Sequence, residues 1–545
     1  MRWKTIIWFI VTVVTAIPLQ NTLEGDLFVT NSIQDELNMD LINQAQPAGT
    51  NTTLNNVQTV PITTEENLLT TAATTTATKN TSDATFPTIG RSSEMIEEPG
   101  GMDYVVLTTR GYVQGIPWRS YTNIIGFIDI PYGSFVKFQD PTPPNRWEDI
   151  HKVHEHNKRC PQMQEENYVG DLDCLTLSIF APSEAINASV LVHIHESNFS
   201  YGSGDPSIYG PEYIVSKGVI LVLPNYRLGP LGFLCLRNEI APGNAALKDL
   251  THALKWIKEN IAAFGGDPTN IVVSGEGTSG ALAGYLALSP KSKGYISKVI
   301  TESGSVLSHW ALNRDPENTA KVLIQRIREI STLINTIETA DIETIIRAGR
   351  NMSFSPCIEH NDHPFLSNTP WAMLHNGIIN ITFMIGSASH AGSIEAAHIN
   401  DPEIEQMNSN FGQFLPSDLR FKDQSAQTSV GNQVKTQYFG NSSISLEHME
   451  EISLCFTDSR YLGPALRSAR ALLQAGAKVF FYEFGFVGEL NRELESINRP
   501  VNATARGDIV GYLFSQDGVM PSEGSIEKRM MYLMVDLWIS FITDG

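Results

Sequence analysis

Positive charge is scarce in this chain of 545 residues: 38 lysines and arginines stand against 59 aspartates and glutamates, a formal net charge of −21 at pH 7. Phosphate binding needs a concentrated basic face. No stretch supplies one, so nucleic acid is not an expected partner. The acidity reads as a solvated exterior, with attraction to a basic partner as the other reading. Cysteine is also sparse, at five residues, which fits an oxidising compartment with few crosslinks. Long apolar runs are missing beyond the N-terminus, and the one there, residues 6–16, is shorter than the roughly 20 residues a bilayer span needs. It follows Arg2 and Lys4, and Val14 and Ala16 suit a small-residue cleavage site, so residues 1–16 read as a secretory signal peptide, an uncleaved anchor being the rival.

What is present supports export of a folded protein. Hydrophobic residues make up 42% of the chain and glycines number 41, enough to bury a large core and to turn tightly around it. Eight Asn-x-Ser/Thr sequons, at Asn51, Asn80, Asn187, Asn198, Asn351, Asn380, Asn441 and Asn502, are candidate glycan sites. The expected location is secreted and extracellular.

Residues 17–102 are polar and acidic, and threonine dominates 50–88. Such a segment buries too little apolar surface to offset chain entropy, so it is expected to be disordered, as an O-glycosylated stalk or as a plain linker. From 103 onward, short apolar runs alternate with helical patterns, the mark of an α/β fold with a mixed sheet between helices. Strands are predicted at 189–195, 218–224, 270–274, 381–385 and 478–484. Leu247, Leu250, Leu254, Ile257 and Ile261 recur at helical spacing, and a second helix is predicted at 461–475. Strand 270–274, a Gly-rich turn and the apolar helix 281–288 form the strand, sharp turn and helix on which an α/β-hydrolase mounts its nucleophile.

The run Gly243-Asn244, Asp249, Ala253-Leu254-Lys255-Trp256-Ile257, Asn260-Ile261 and Phe264-Gly265-Gly266-Asp267-Pro268-Thr269-Asn270-Ile271 resembles the type-B carboxylesterase and cholinesterase family. Asn225-Tyr226-Arg227-Leu228-Gly229-Pro230-Leu231-Gly232-Phe233, Glu302-Ser303-Gly304-Ser305, Thr109-Arg110-Gly111 and Asp173-Cys174-Leu175 are similar to further landmarks of it. The resemblance implies an α/β-hydrolase domain over 103–545, a mixed and mostly parallel sheet flanked by helices. It also implies a disulfide between Cys160 and Cys174. Cys235 and Cys357, in apolar stretches, are expected to be buried thiols. The last residues resemble the family's late helix, so the C-terminus is expected to be incomplete, leaving a partner for Cys455, an anchor and a homodimer open.

The family's site residues do not carry over. Its Gly-Glu-Ser-x-Gly elbow reads Gly275-Glu276-Gly277-Thr278-Ser279-Gly280, so Gly277 stands at the nucleophile position without a hydroxyl. Ser279, two residues on, is placed in the first helical turn and facing elsewhere. The acid's Gly-x-x-x-x-Glu-Gly pattern puts Ala391 in its place, and the histidine's His-Gly-Asp element puts Arg506 there, whose guanidinium cannot act as a base. The His-Gly-Gly oxyanion loop reads His195-Glu196-Ser197, without the glycines that let amides approach developing charge. Losing such a unit costs on the order of a millionfold in rate. On these grounds the chain is expected not to be an enzyme. Arg506 is expected to pair with Glu276 or Glu196, since a lone buried charge is costly. His193 and His195 lack further ligands at metal spacing, so no metal and no cofactor are expected.

Non-catalytic members of this family, the neuroligins, neurotactin, gliotactin and glutactin, use the domain as a recognition surface, and the resemblance implies adhesion or matrix recognition of an extracellular protein partner. A carrier of a small hydrophobic ligand in the former substrate gorge is the second reading, and an ester hydrolase with a rebuilt site the third.

Overall fold

Aliphatic runs without polar alternation build the middle of the protein. Strand Ile220–Pro224 is buried at every position, and Ala188–Ile194 at its last five. Strands read this way when helices cover both faces of a parallel sheet. A computed structural model describes residues 104–152, 158–331, 336–494 and 503–545. The expectations placed on 1–16 and 17–102, and the sequons at Asn51, Asn80 and Asn502, lie outside the described residues.

Twelve strands are described: β1 (Tyr104–Leu107), β2 (Tyr112–Trp118), β3 (Tyr121–Pro131), β4 (Gln162–Gln164), β5 (Asn167–Val169), β6 (Thr176–Pro182), β7 (Ala188–Ile194), β8 (Ile220–Pro224), β9 (Gly266–Glu276), β10 (Lys298–Glu302), β11 (Thr382–Ala388) and β12 (Lys478–Phe484). Ten form one sheet in the order β1-β2-β3-β6-β8-β7-β9-β10-β11-β12, and β4 and β5 form a separate hairpin. The β1, β2, β3, β6 and β8 pairings are antiparallel, and everything from β8 through β7 to β12 is parallel. This is the α/β-hydrolase arrangement. Register places Ile194 beside Gly275, Glu276 beside Glu302 and Glu302 beside Gly386. The carboxyl ends of β7, β9, β10 and β11 are therefore level, and in open α/β sheets that edge is where ligands bind.

The helix Ala245–Asn260 covers one face with Leu247, Leu250, Leu254 and Ile257, each no more than 2% exposed. Each such burial is worth about 1.5–3 kcal/mol. Beneath it, Arg227 and Asp249 form an ion pair with neither side chain exposed, Nε donating at 2.7 Å, and Arg227 Nη1 also donates to the carbonyls of Val136 and Gln139. Removing one partner of a pair buried like this is far more damaging than replacing both, because it strands a charge.

Cys160 and Cys174 are joined, enclosing the β4–β5 hairpin. Cys235 and Cys357 are joined as well, across 122 residues, which corrects the expectation of two buried thiols. Apolar flanks suit a thiol and a bridge equally, and only the folded chain brings these two together. Cys455 is buried, and burial pushes its thiol up to about 12. Asn187, Asn198, Asn351, Asn380 and Asn441 are exposed. Among the described residues no helix is long and apolar enough to cross a membrane.

Because the 235–357 bridge closes a long loop, replacing both cysteines by alanine should lower unfolding free energy by about 2–5 kcal/mol. Guanidinium unfolding of the double variant against the parent checks this; an unchanged midpoint would remove the bridge from the account of stability.

Candidate functional site

At the carboxyl edge, β9 turns into the helix Gly277–Leu288 within one residue. Glu276 is still extended, at φ −117° and ψ 157°, and Gly277 is left-handed at φ 51°. Glycine takes that φ without steric cost. The loop after β10 closes on the turn, since a Cβ at Gly304 would lie 1.9 Å from the Gly277 carbonyl oxygen. The elbow is thus set by backbone fit on both sides.

The space above Gly277 belongs to Glu196, which follows β7. A Cβ on Gly277 would meet the Glu196 carboxylate at 3.0 Å. Glu196 Oε2 accepts from the Thr278 hydroxyl at 3.0 Å and the Ser279 amide at 3.2 Å, and Oε1 accepts from the Asn198 amide at 3.1 Å. A carboxylate at a helix amino end is favoured by the free amides and by the helix dipole. Ser197 is buried, its hydroxyl accepting from the Phe199 amide at 3.0 Å. Asn198 and Phe199 sit in the left-handed region at φ 42° and 58°. The loop thus keeps a glycine-like path without glycines, and for a bulky residue such as Phe199 that conformation is unusual and strained.

The guanidinium of Arg506 reaches Glu196 at 3.4 Å and Glu395 at 3.7 Å, and lies 5.8 Å from the centre of the Tyr461 ring. Glu196 and not Glu276 is its partner among the described residues. Although burial works against the charge, Tyr461, Glu196 and Glu395 hold Arg506 above its ordinary value. The Tyr461 hydroxyl donates to Glu395. Tyr461 is delivered by one π-helical turn, Asp458–Leu462, a device that often marks functional positions. Ala391 is fully buried and packs with Ala388 and Tyr461.

Gly277, Glu196 and Arg506 are therefore brought together, while Ala391 is part of the apolar floor. Sequence reading found no carboxylate near the acid position, and the structure supplies Glu395. It stands one helical turn beyond Ala391, on the short helix Ser393–Ala397; a search three to four residues downstream would have found it. Ser279 is committed: its hydroxyl donates to the Glu276 carbonyl at 2.7 Å and accepts the Glu276 amide at 3.0 Å.

His193 and His195 are each 1% exposed, so they lie in the core and not at its edge. Burial lowers them to about 3 and about 4, which keeps both neutral. His193 bonds Ser274 at 2.9 Å and lies 4.8 Å and 4.6 Å, centre to centre, from the rings of Tyr209 and Phe514; His195 stacks on Tyr226. Among the described residues no cluster of His, Cys, Asp and Glu could hold a metal. Below the elbow, burial raises Glu276 well above the usual carboxylate range and pushes Glu302 up to about 7.

The profile described as the carboxylesterase family matches residues 102–545. Esterase FE4 of Myzus persicae is 27% identical, covering 77% of this chain and 80% of that protein. Juvenile hormone esterase of Tribolium castaneum is 28% identical, covering 78% and 80%. Among solved structures, juvenile hormone esterase from Manduca sexta, with OTFP covalently attached, superposes with a TM-score of 0.72 at 24% identity over 81% of this chain and 90% of that one, a likeness of fold. These relatives overturn the expectation that the chain is not an enzyme, since the proteins it matches along three quarters of its length are named esterases. The error has a physical source. The residues at 277, 391 and 506 and in the 195–197 loop all speak to one route, attack by a hydroxyl at the tip of the elbow, and their substitution does not exclude catalysis by another.

Two measurements follow. Gly277→Ser puts a side chain at φ 51° against Glu196, so it should cost about 1–3 kcal/mol; adding Glu196→Gly should recover part of that, giving a coupling of about 0.5–3 kcal/mol in a double-mutant cycle. Purely additive effects would show that the two positions do not touch. For Glu302, a folded pKa above the unfolded value, about 4.3, means its contribution is full below that value and is lost as pH rises through about 7. Urea unfolding of Glu302→Gln from pH 4 to 8 should fall less steeply than the parent, by up to about 1.4 kcal/mol per pH unit; parallel curves would refute the burial effect.

Proposed function

The chain belongs to the carboxylesterase family, and from that premise we propose that it is a secreted glycoprotein that recognises an extracellular protein partner, in cell adhesion or matrix assembly. The observation that supports this reading is the use of the elbow. Helix end, hydroxyl and guanidinium are all engaged by the chain's own Glu196, so the elbow is tied into the fold as a structural joint. Five exposed sequons and a net charge of −21 suit a glycosylated surface that selects a partner by charge.

A second reading is ester hydrolysis, favoured by the names of the relatives, Esterase FE4 and juvenile hormone esterase. It requires a hydroxyl or water activated somewhere other than position 277.

One experiment on the purified full chain weighs the two. Saturable binding to cell surfaces or matrix, unchanged by treatment with a serine-directed phosphonate, is the outcome expected from recognition. Absence of any such binding, together with turnover of a short-chain ester and phosphonate labelling at a mapped residue, would replace recognition with hydrolysis.

A further inference from the structure

We infer that Asn187 and Asn380 carry N-linked glycans whose first sugar lies on a neighbouring isoleucine, Ile186 in one case and Ile378 in the other, so that the amino edge of the sheet is a sugar-covered face. The inference rests on the secreted-glycoprotein part of the reading above, since Asn-x-Ser/Thr sites are modified on exported chains.

Apolar exposure singles out these two positions. Ile378 is 87% exposed and Ile186 80%, and no other large hydrophobic among the described residues exceeds 58%. Single exposed aliphatic side chains are ordinary on a protein surface, so degree alone decides nothing. Place does: the two extremes stand two residues before Asn380 and one before Asn187, each the start of a sequon, Asn380-Ile381-Thr382 and Asn187-Ala188-Ser189. The fold holds both isoleucines outward. Ile379 is buried and its amide donates to the Ala475 carbonyl at 3.0 Å, which leaves Ile378 on the outer side. Ala185 is buried with its amide on the Pro182 carbonyl at 3.0 Å, and the Ala188 amide donates to the Gly265 carbonyl at 2.9 Å, so Ile186 and Asn187 sit in a turn pinned at both ends. Asn187 is left-handed there, at φ 52°, a conformation that asparagine tolerates better than most residues. Both asparagines are exposed, and among the described residues nothing hydrogen-bonds to either side-chain amide.

In the transfer, the asparagine Nδ2 bonds to C1 of an N-acetylglucosamine carried on a lipid pyrophosphate; the C1–O bond breaks, the pyrophosphate leaves with the electron pair, and the amide gives up one proton. A sugar ring presents C–H groups on one face, and laying them on isoleucine removes apolar surface from water. With the isoleucine one or two residues away, the first sugar is the part that reaches it. Both sites belong to one edge of the fold. Asn187 precedes β7 by one residue and Asn380 precedes β11 by two, and β7, β9, β10 and β11 run parallel in that order. The two asparagines therefore stand three strand spacings apart, about 14 Å, at the end of the sheet opposite Gly277. A protein partner is thereby directed to other faces of the domain.

The test uses the full chain secreted from animal cells. Glycosidase release in heavy-oxygen water turns each glycan-bearing asparagine into a labelled aspartate, which peptide mass then locates. Label at both Asn187 and Asn380 is expected. Label at other sequons with either of these two unmodified overturns the inference and leaves the glycoprotein reading standing; no label at any sequon overturns both. The contact with isoleucine is read with the apolar-surface dye bis-ANS. Asn380→Gln should raise its fluorescence, and adding Ile378→Gln should return it to the parent level; Asn187→Gln with Ile186→Gln should behave alike. No rise, or a rise that survives loss of the isoleucine, overturns the contact. Should a single variant not leave the cell, secretion itself becomes the readout: the paired isoleucine substitution is expected to restore it, and failure to do so overturns the inference.

Discussion

One carboxylate, that of Glu196, is held where a helix amino end, a hydroxyl and a guanidinium converge, and the neighbouring residues take their places from it. Because it fills the space a side chain at 277 would need, the turn there suits glycine on two counts, its left-handed φ and its lack of a Cβ. Because it is anionic and only partly exposed, a cation must face it, and Arg506 does. Because Arg506 is itself nearly buried, a second carboxylate, Glu395, stands on its other side, fixed by the Tyr461 hydroxyl. Each residue in this series answers a cost that the previous one creates.

The fold delivers this arrangement by levelling the strand ends. Glu196 leaves β7, Gly277 leaves β9, Glu395 follows β11 and Arg506 follows β12, so four segments far apart in sequence meet at one edge. The frame beneath is stiff for reasons unconnected with the site: the Arg227–Asp249 pair braces the segment between β8 and β9 internally, and the Arg227 bonds to the Val136 and Gln139 carbonyls and the 235–357 bridge tie that segment to distant parts of the chain. A site made of charges needs such a frame, because a displacement of about an ångström turns a paired charge into a stranded one.

The sheet was legible because buried parallel strands carry unbroken apolar runs, and strands predicted at 189–195, 270–274 and 478–484 lie over β7, β9 and β12. The elbow was legible because Gly275 to Gly280 follow such a run and precede an apolar helix. The pairing of Cys235 with Cys357 was not, since nothing local distinguishes a buried thiol from half of a bridge. Glu395 was missed for a different reason. The expected pattern fixes a position, whereas the charge on Arg506 fixes only a distance, and a short helix carries a carboxylate from one turn away to within reach.

That last difference bears on how substitutions at such sites should be read. A histidine at position 506 can sit beside an apolar neighbour by staying neutral, as His193 and His195 do in the core here. A guanidinium has no neutral form to fall back on, so arginine at 506 demands acidic neighbours within a few ångströms. Glu196 and Glu395 meet that demand from two different strand ends, and Ala391, released from any need to carry charge, packs against Ala388 and Tyr461 as part of the floor. Arg506, Glu196 and Glu395 therefore form one electrostatic unit, and a change at any one of them is expected to be felt at the other two.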